Sequence, residues 1–156
     1  MIRRRGLLLT LFMGGIVAAD QITKALTRAN LSYGEQAPLL PGVVGLTYVR
    51  NSGAAFSMLS GARWFFLALV ILAFALAGYL IRRRIISAPF ELWCLAAIGG
   101  GALGNAVDRA LWGEVTDMIE LLFMRFAVFN VADMFITCGA VALVVYALFF
   151  EKSHSV

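Results

Sequence analysis

Four of the chain's nine acidic residues are aspartates. Asp20, Asp108 and Asp133 interrupt stretches otherwise apolar enough to cross a membrane, and Asp117 lies between the last two. A charged residue at the centre of a bilayer costs roughly 3 kcal/mol or more, so such a carboxylate marks a functional site by default and requires a partner. Two carboxylates that share a site cannot both ionise readily, and one proton is held between them. The ionised member can then take a proton from water while the protonated member donates to a carbonyl oxygen. Asp117 and Asp133 suit this chemistry: one sits on a connection at the membrane surface, the other near the top of an apolar run, "FNVADMFITCGAVALVVYALFF".

Elimination narrows the alternatives. The only histidine is His154, in the C-terminal tail. That excludes a Ser-His-Asp triad and an H-E-x-x-H zinc site. No phosphate-binding glycine loop is present, and no carboxylates cluster at metal-ligand spacing, so no metal site is expected. Cys94 and Cys138 lie within apolar runs and read as buried thiols acting as small hydrophobes.

The elements that position the aspartates follow from composition. Of 156 residues, 62% are hydrophobic and 14% charged, against roughly a quarter charged in soluble domains. Four runs, about 6–27, 64–81, 90–112 and 127–150, are each long enough to cross a core of ~30 Å as helix. The length suits a single integral membrane domain, 1–156. The net charge of +4 arises mostly from arginine triplets at 3–5 and 82–84, which indicates cytoplasmic flanks and no nucleic-acid-binding face. Both termini are then cytoplasmic, and residues 28–63 and 109–126 face outward. The first run also reads as a secretory signal peptide. "DQITK" would be an odd mature N-terminus, however, and the run is taken as a retained span.

Helix rise sets depth. Asp20 falls about 9 Å below the outer end of the first span, with Lys24 on the same face. Asn105, Asp108 and Arg109 share a face at the outer end of the third, and Asn130 and Asp133 lie about 10 Å into the fourth. All gather at one level. For Asp20 and Lys24 the choice is between an ion pair locking the first span and direct substrate contact. For Asp108 and Arg109 a structural salt bridge is favoured, and for the asparagines helix cross-linking is an alternative. Glu114 and Glu120 read as solvated loop charges, and Trp64, Trp93 and Trp112 as interface belts. Between the first two spans, "GLTYV" alternates like a strand and "NSG" is turn chemistry, so 31–62 is expected to form a small sheet on the membrane surface. Within it, the small run from Gly53 to Ala55 would allow close backbone approach to a ligand.

Two other functions compete. A serine–lysine protease would activate Ser52, Ser57 or Ser60 with Lys24, and Ser→Ala changes would abolish it while Asp→Asn changes would not. A proton-coupled carrier would need acidic groups across the whole bilayer, but the inner halves of the spans are nearly free of them.

Five motifs, in order, carry a resemblance over nearly the whole chain: "DQITK" at 20–24, "RNSGAAFS" at 50–57, "GGALGNAVDR" at 100–109, "VTDMI" at 115–119 and "FNVAD" at 129–133. The chain resembles lipoprotein signal peptidase (signal peptidase II), a bacterial membrane aspartyl protease family. The resemblance implies four transmembrane helices with a small extracytoplasmic β-sheet. It also implies cleavage of prolipoproteins before a diacylglyceryl-modified cysteine, no cofactor, and inhibition by the cyclic peptide globomycin. It assigns Asp117 and Asp133 as the catalytic dyad, with Asp20, Lys24, Asn51, Gly53, Asn105, Asp108, Arg109, Asn130 and Ala132 supporting the site. The implied location is the bacterial cytoplasmic (inner) membrane, with the active site at the outer face, open sideways to membrane lipid, in what is expected to be a monomer. Where the family often has a small or hydroxyl residue after the second aspartate, this chain has Met134, expected to point away from the Asp133 face. The sheet is expected to cap the substrate.

Overall fold

The computed structural model describes residues 2–53 and 58–150, and its order is α1 (Ile2–Asn30), β1 (Gln36–Leu40), β2 (Val44–Asn51), α2 (Arg63–Arg82), α3 (Pro89–Trp112), β3 (Val115–Leu121) and α4 (Val131–Phe149). All four helices are long and apolar enough to cross a membrane. Helices are what this composition allows, because a segment in hydrocarbon must satisfy its own backbone hydrogen bonds.

The helix ends explain where the spans stop. Pro89 opens α3, where its missing N–H is no loss. The Glu91 carboxylate accepts the Ser87 and Ala88 N–H groups at 2.9 and 2.8 Å. Gly113, with φ of 82°, closes the helix in the left-handed conformation that favours glycine. At α4, Asn130 is the N-cap: its side chain accepts the Asp133 N–H at 3.0 Å, while Asp133 Oδ2 accepts the Asn130 N–H at 3.2 Å. The fourth span therefore begins at Val131 and not near 127. Asp133 lies in its first turn instead of about 10 Å down, because residues 122–130 remain a loop in which Phe129 bridges to Ile119.

α3 is the hub, packed against α4, α1 and α2. Its glycines make that possible. A Cβ at Gly104 would stand 2.6 Å from Asp20 Oδ2, one at Gly100 3.0 Å from Ile16 Cβ, and one at Gly101 would run into the Ala132 carbonyl oxygen. Small residues allow this close helix approach in the absence of a hydrophobic driving force between helices. By contrast, α2 has no buried residue and rests chiefly on α3, fastened at its N-terminal end by Arg63 Nη2 donating to the Ala110 carbonyl at 2.9 Å.

The small sheet forms as expected between α1 and α2, but it recruits a third strand from elsewhere. β1 pairs antiparallel with β2, and β2 pairs antiparallel with β3, which follows α3. Asp117 thus stands on a strand opposite Val49, not on a plain connection. Its segment has no local pairing partner in sequence, which is why the strand was not legible there.

Gly101→Ala should destabilise the α3–α4 seam by about 1–3 kcal/mol, the usual cost of overpacking. Thermal unfolding in detergent checks this against Gly14→Ala, where an added methyl meets nothing within 4 Å.

Candidate active site

Polar side chains that the sequence spreads over five segments converge where α1, α3, β3 and α4 meet. Asp20, Lys24, Asp108 and Asn130 are fully buried, and Asn105 and Asp117 nearly so. Burial of that many polar groups is tolerable only where each finds partners.

The inner part of the cluster is ionic. Lys24 Nζ lies 2.8 Å from Asp20 Oδ2 and 3.6 Å from Asp108 Oδ2, and donates to Asn105 Oδ1 at 2.9 Å. Asp20 Oδ1 accepts the Ala132 N–H at 3.0 Å, which ties α1 to the first turn of α4. Asp108 Oδ2 accepts the Thr116 N–H at 2.9 Å, holding the start of β3 against α3. Of the two alternatives for Asp20 and Lys24, the ion pair forms, and neither residue lines the cavity described below. The Asp108–Arg109 salt bridge does not form. Adjacent residues on a helix point about 100° apart, so Asp108 turns to Lys24 and Arg28. Arg109 turns to the cavity, donating to the Gly53 carbonyl at 2.8 Å with its guanidinium 4.5 Å from the Phe66 ring centre.

The outer part holds the two carboxylates. Asn130 Nδ2 donates to Asp117 Oδ1 at 2.7 Å and to Asn105 Oδ1 at 3.0 Å, and Asn51 Nδ2 donates to Asp117 Oδ2 at 3.1 Å. Asn105 Nδ2 donates to Asp133 Oδ1 at 2.7 Å. The Gly53 N–H is held by Asn51 Oδ1 at 3.0 Å, and the rest of the small run, 54–55, lies outside the described residues. Burial, followed by the Asp133 carboxylate, pushes the Asp117 carboxyl up to about 7, against the pull of hydrogen bonds from Asn51 and Asn130.

Asp117 and Asp133 open on one cavity of about 530 Å³, with Asn51, Asn105 and Arg109 on its polar side. Leu121, Phe126, Val128, Phe129 and one face of α4 form an apolar wall. Met134 belongs to that wall and is 47% exposed, contrary to the expectation that it points away. The groove takes in an arc of α4 wide enough to include Asp133, Met134, Thr137 and Cys138 together. Cys138 is accordingly exposed, and only Cys94 is the buried thiol expected of both. Glu120 is not a solvated loop charge either: it sits on β3, bonded to Thr47 and, at 3.4 Å, to Gln36.

The serine–lysine arrangement loses its base. Lys24 is occupied by Asp20 and Asn105, while the Ser52 and Ser60 hydroxyls pair with each other at 2.5 Å on the exposed edge. Ser57 lies outside the described residues. Among those described, no three His, Cys, Asp or Glu side chains converge as a metal site would require.

Residues missed from sequence complete the cluster. Arg28 donates to Thr116 Oγ1 at 2.8 Å and lies 3.7 Å from Asp108 Oδ1, and Gln21 donates to the Gly104 carbonyl at 3.0 Å. Arg28 was findable, since 20, 24 and 28 fall on one helical face. Gln21 was not, because its partners all belong to α3 and to its neighbour Asp20.

Removing the Asp133 charge should bring the Asp117 carboxyl down from about 7, because a raising cause is lost while burial persists. Infrared titration of the protonated-carboxyl band in Asp133→Asn against the parent chain reads this. An unmoved midpoint would mean the two groups do not interact.

A family model described as signal peptidase (SPase) II matches residues 12–149. Lipoprotein signal peptidase of Latilactobacillus sakei subsp. sakei (strain 23K) is 42% identical over 137 residues, which cover 88% of this chain and 91% of that protein. The protein of the same name from Streptococcus pyogenes serotype M2 (strain MGAS10270) is 41% identical over 133 residues, covering 83% and 86%. A bacterial membrane enzyme structure obtained by the in meso method at 2.3 Å resolution superposes with a TM-score of 0.88 at 29% identity, covering 95% of this chain and 92% of that one.

Proposed function

The chain belongs to the signal peptidase II family, and on that premise we propose that Asp117 and Asp133 are its catalytic dyad. The protein is a multi-pass membrane aspartic endopeptidase that removes signal peptides from prolipoproteins. The observation that carries the dyad is the convergence of the two carboxylates on one cavity, each held by an asparagine amide.

With its carboxyl raised to about 7, Asp117 is the member that keeps the shared proton. The Asp133 carboxylate takes a proton from water, whose oxygen attacks the scissile carbonyl carbon as Asp117 protonates the carbonyl oxygen. Collapse of the tetrahedral intermediate returns a proton from it to Asp117. Asp133 then gives its proton to the departing amine of the cysteine, and the dyad ends as it began. Arg109, Asn51 and Gly53 line the cavity beside the dyad and suit contact with the peptide, whereas Asp20, Lys24, Asn105, Asp108, Asn130 and Ala132 hold the frame.

The substrate is a prolipoprotein whose cysteine bears diacylglycerol, with the apolar wall of Phe126, Met134 and Thr137 facing its lipid-embedded part. Arginine triplets at 3–5 and 82–84 favour cytoplasmic termini, so the sheet and the dyad face outward from the cytoplasmic membrane of a bacterium. The chain acts as a monomer and a single domain, and globomycin competes for the same cavity. The exposed β1 hairpin caps the substrate; shortening 36–42 should raise KM, and unchanged turnover and KM would count against that role.

Purified protein in detergent, given a diacylglyceryl-modified prolipoprotein and its unlipidated twin, tests the reading. Only the lipidated form should be cut, and Asp117→Asn and Asp133→Asn should each lose at least about 10³-fold in kcat, as expected when a group essential to the chemistry is removed. For the parent chain, kcat/KM should fall as pH rises past about 7, where the Asp117 carboxyl gives up the proton it must donate. Retained activity in either variant would send the search back to the serines.

A further inference from the structure

Lys24 is fully buried and does not line the cavity, yet it is bonded to a side-chain amide that donates to Asp133. Asn105 has two ends of nearly equal size and opposite character: a carbonyl oxygen that accepts and an NH2 that donates. Which end faces the dyad is decided by its neighbours. Turned one way, Asn105 donates to Asp133 Oδ1 at 2.7 Å. Turned the other way, it would set one acceptor against another.

An ammonium offers three donors and no acceptor. Lys24 Nζ, 2.9 Å from Asn105, therefore admits only the carbonyl end on its side. Asn130 also donates to Asn105 Oδ1, at 3.0 Å, but its NH2 has other acceptors in Asp117 Oδ1 and the Thr116 carbonyl. If Asn105 turned over, Lys24 Nζ and Asn130 Nδ2 would both face its NH2, donor against donor; Asn130 keeps its other acceptors in that case, and the closer, charged donor is Lys24. Asp20 at 2.8 Å and Asp108 at 3.6 Å fix the ammonium from α1 and α3, so it cannot follow.

We propose that Lys24 is a positioning residue for the dyad, holding the Asn105 amide with its NH2 towards Asp133. The proposal rests on the assignment of Asp117 and Asp133 as the dyad. It makes the ion cluster part of the chemistry and not only a clasp between helices. The catalytic carboxylate receives its hydrogen bond because a lysine on another helix, one residue removed, forbids the opposite orientation.

The test compares two double variants of the full chain that are neutral where the parent has an ion pair, so neither leaves a lone buried carboxylate at 20. Asp20→Asn/Lys24→Gln keeps a donor for Asn105 Oδ1, and Asp20→Asn/Lys24→Met does not. On the diacylglyceryl-modified prolipoprotein, the Met variant should lose kcat by about 10- to 100-fold, the scale of one hydrogen bond to a charged group, with KM changed less than about threefold. The Gln variant should recover most of that loss. Parent-like kcat in the Met variant, equal loss in both, or a loss carried by KM would overturn the proposal. Should the Met variant fail to fold, side-chain amide NMR of the otherwise unaltered protein decides. The Asn105 NH2 protons should be distinct and should move on Asp133→Asn; averaged or unmoved signals would overturn the orientation lock. Asp117→Asn and Asp133→Asn assayed alongside separate the two levels, because activity surviving there defeats the dyad itself, whatever the Lys24 variants show.

Discussion

A buried ammonium that cannot leave its aspartates governs how this molecule is assembled. Removing such charges from water costs several kcal/mol each, repaid only where the geometry is close and the remaining lone pairs are satisfied. Here Lys24 meets Asp20 and Asp108 with neither carboxylate exposed; the second oxygen of Asp20 accepts the Ala132 N–H, and Asp108 Oδ2, the oxygen that faces Lys24, also accepts the Thr116 N–H. Each of those bonds fixes one element. The first places the top of α4, the second the start of β3, and between them they bring Asp133 and Asp117 to the same cavity. The cluster cannot be loosened at one point without stranding a charge at another.

Close approach is the second requirement, and α3 supplies it by giving up side chains. Gly104 leaves room for Asp20, and Gly101 lets α4 come near enough for the Ala132 N–H to reach α1. In lipid, contact between helices gains little from hydrophobic burial, so packing of small residues and interhelical hydrogen bonds must bind the bundle. The glycines run from the middle of α3 towards its C-terminal end, where the hydrogen bonds gather around Asn105 and Asp108. α2 contributes neither to the polar cluster nor to the buried core, which leaves the cluster to three helices and a sheet.

The cavity then reconciles two opposed demands. Hydrolysis of a peptide needs water, whereas the helices around the cavity are apolar enough to lie in a membrane. Asn51, Asn105 and Arg109 make one side polar; Phe126, Phe129 and Met134 make the other apolar. Burial raises the Asp117 carboxyl to about 7, where a proton can be both held and given near neutrality. Met134 and Cys138 reach the groove because it is wide along α4. A reading by helical face alone missed that, since it assigned each residue to one side or the other of a narrow line.

By itself, the sequence determined the number of spans, their approximate limits, the hairpin between the first two, and the gathering of Asp20, Lys24, Asn105, Asp108 and Asp133 at one level. Those follow from local physics: apolar length against bilayer thickness, and 3.6-residue periodicity. Tertiary structure alone decided that residues 115–121 become the third strand and that α4 starts at its asparagine cap. It also decided that Asp108 pairs with Lys24 and Arg28 instead of its neighbour Arg109. The reason is common to all three. A strand needs a partner that may lie far along the chain, and a buried charge chooses among partners by distance in space. Neither preference leaves a periodic mark on the residues that obey it.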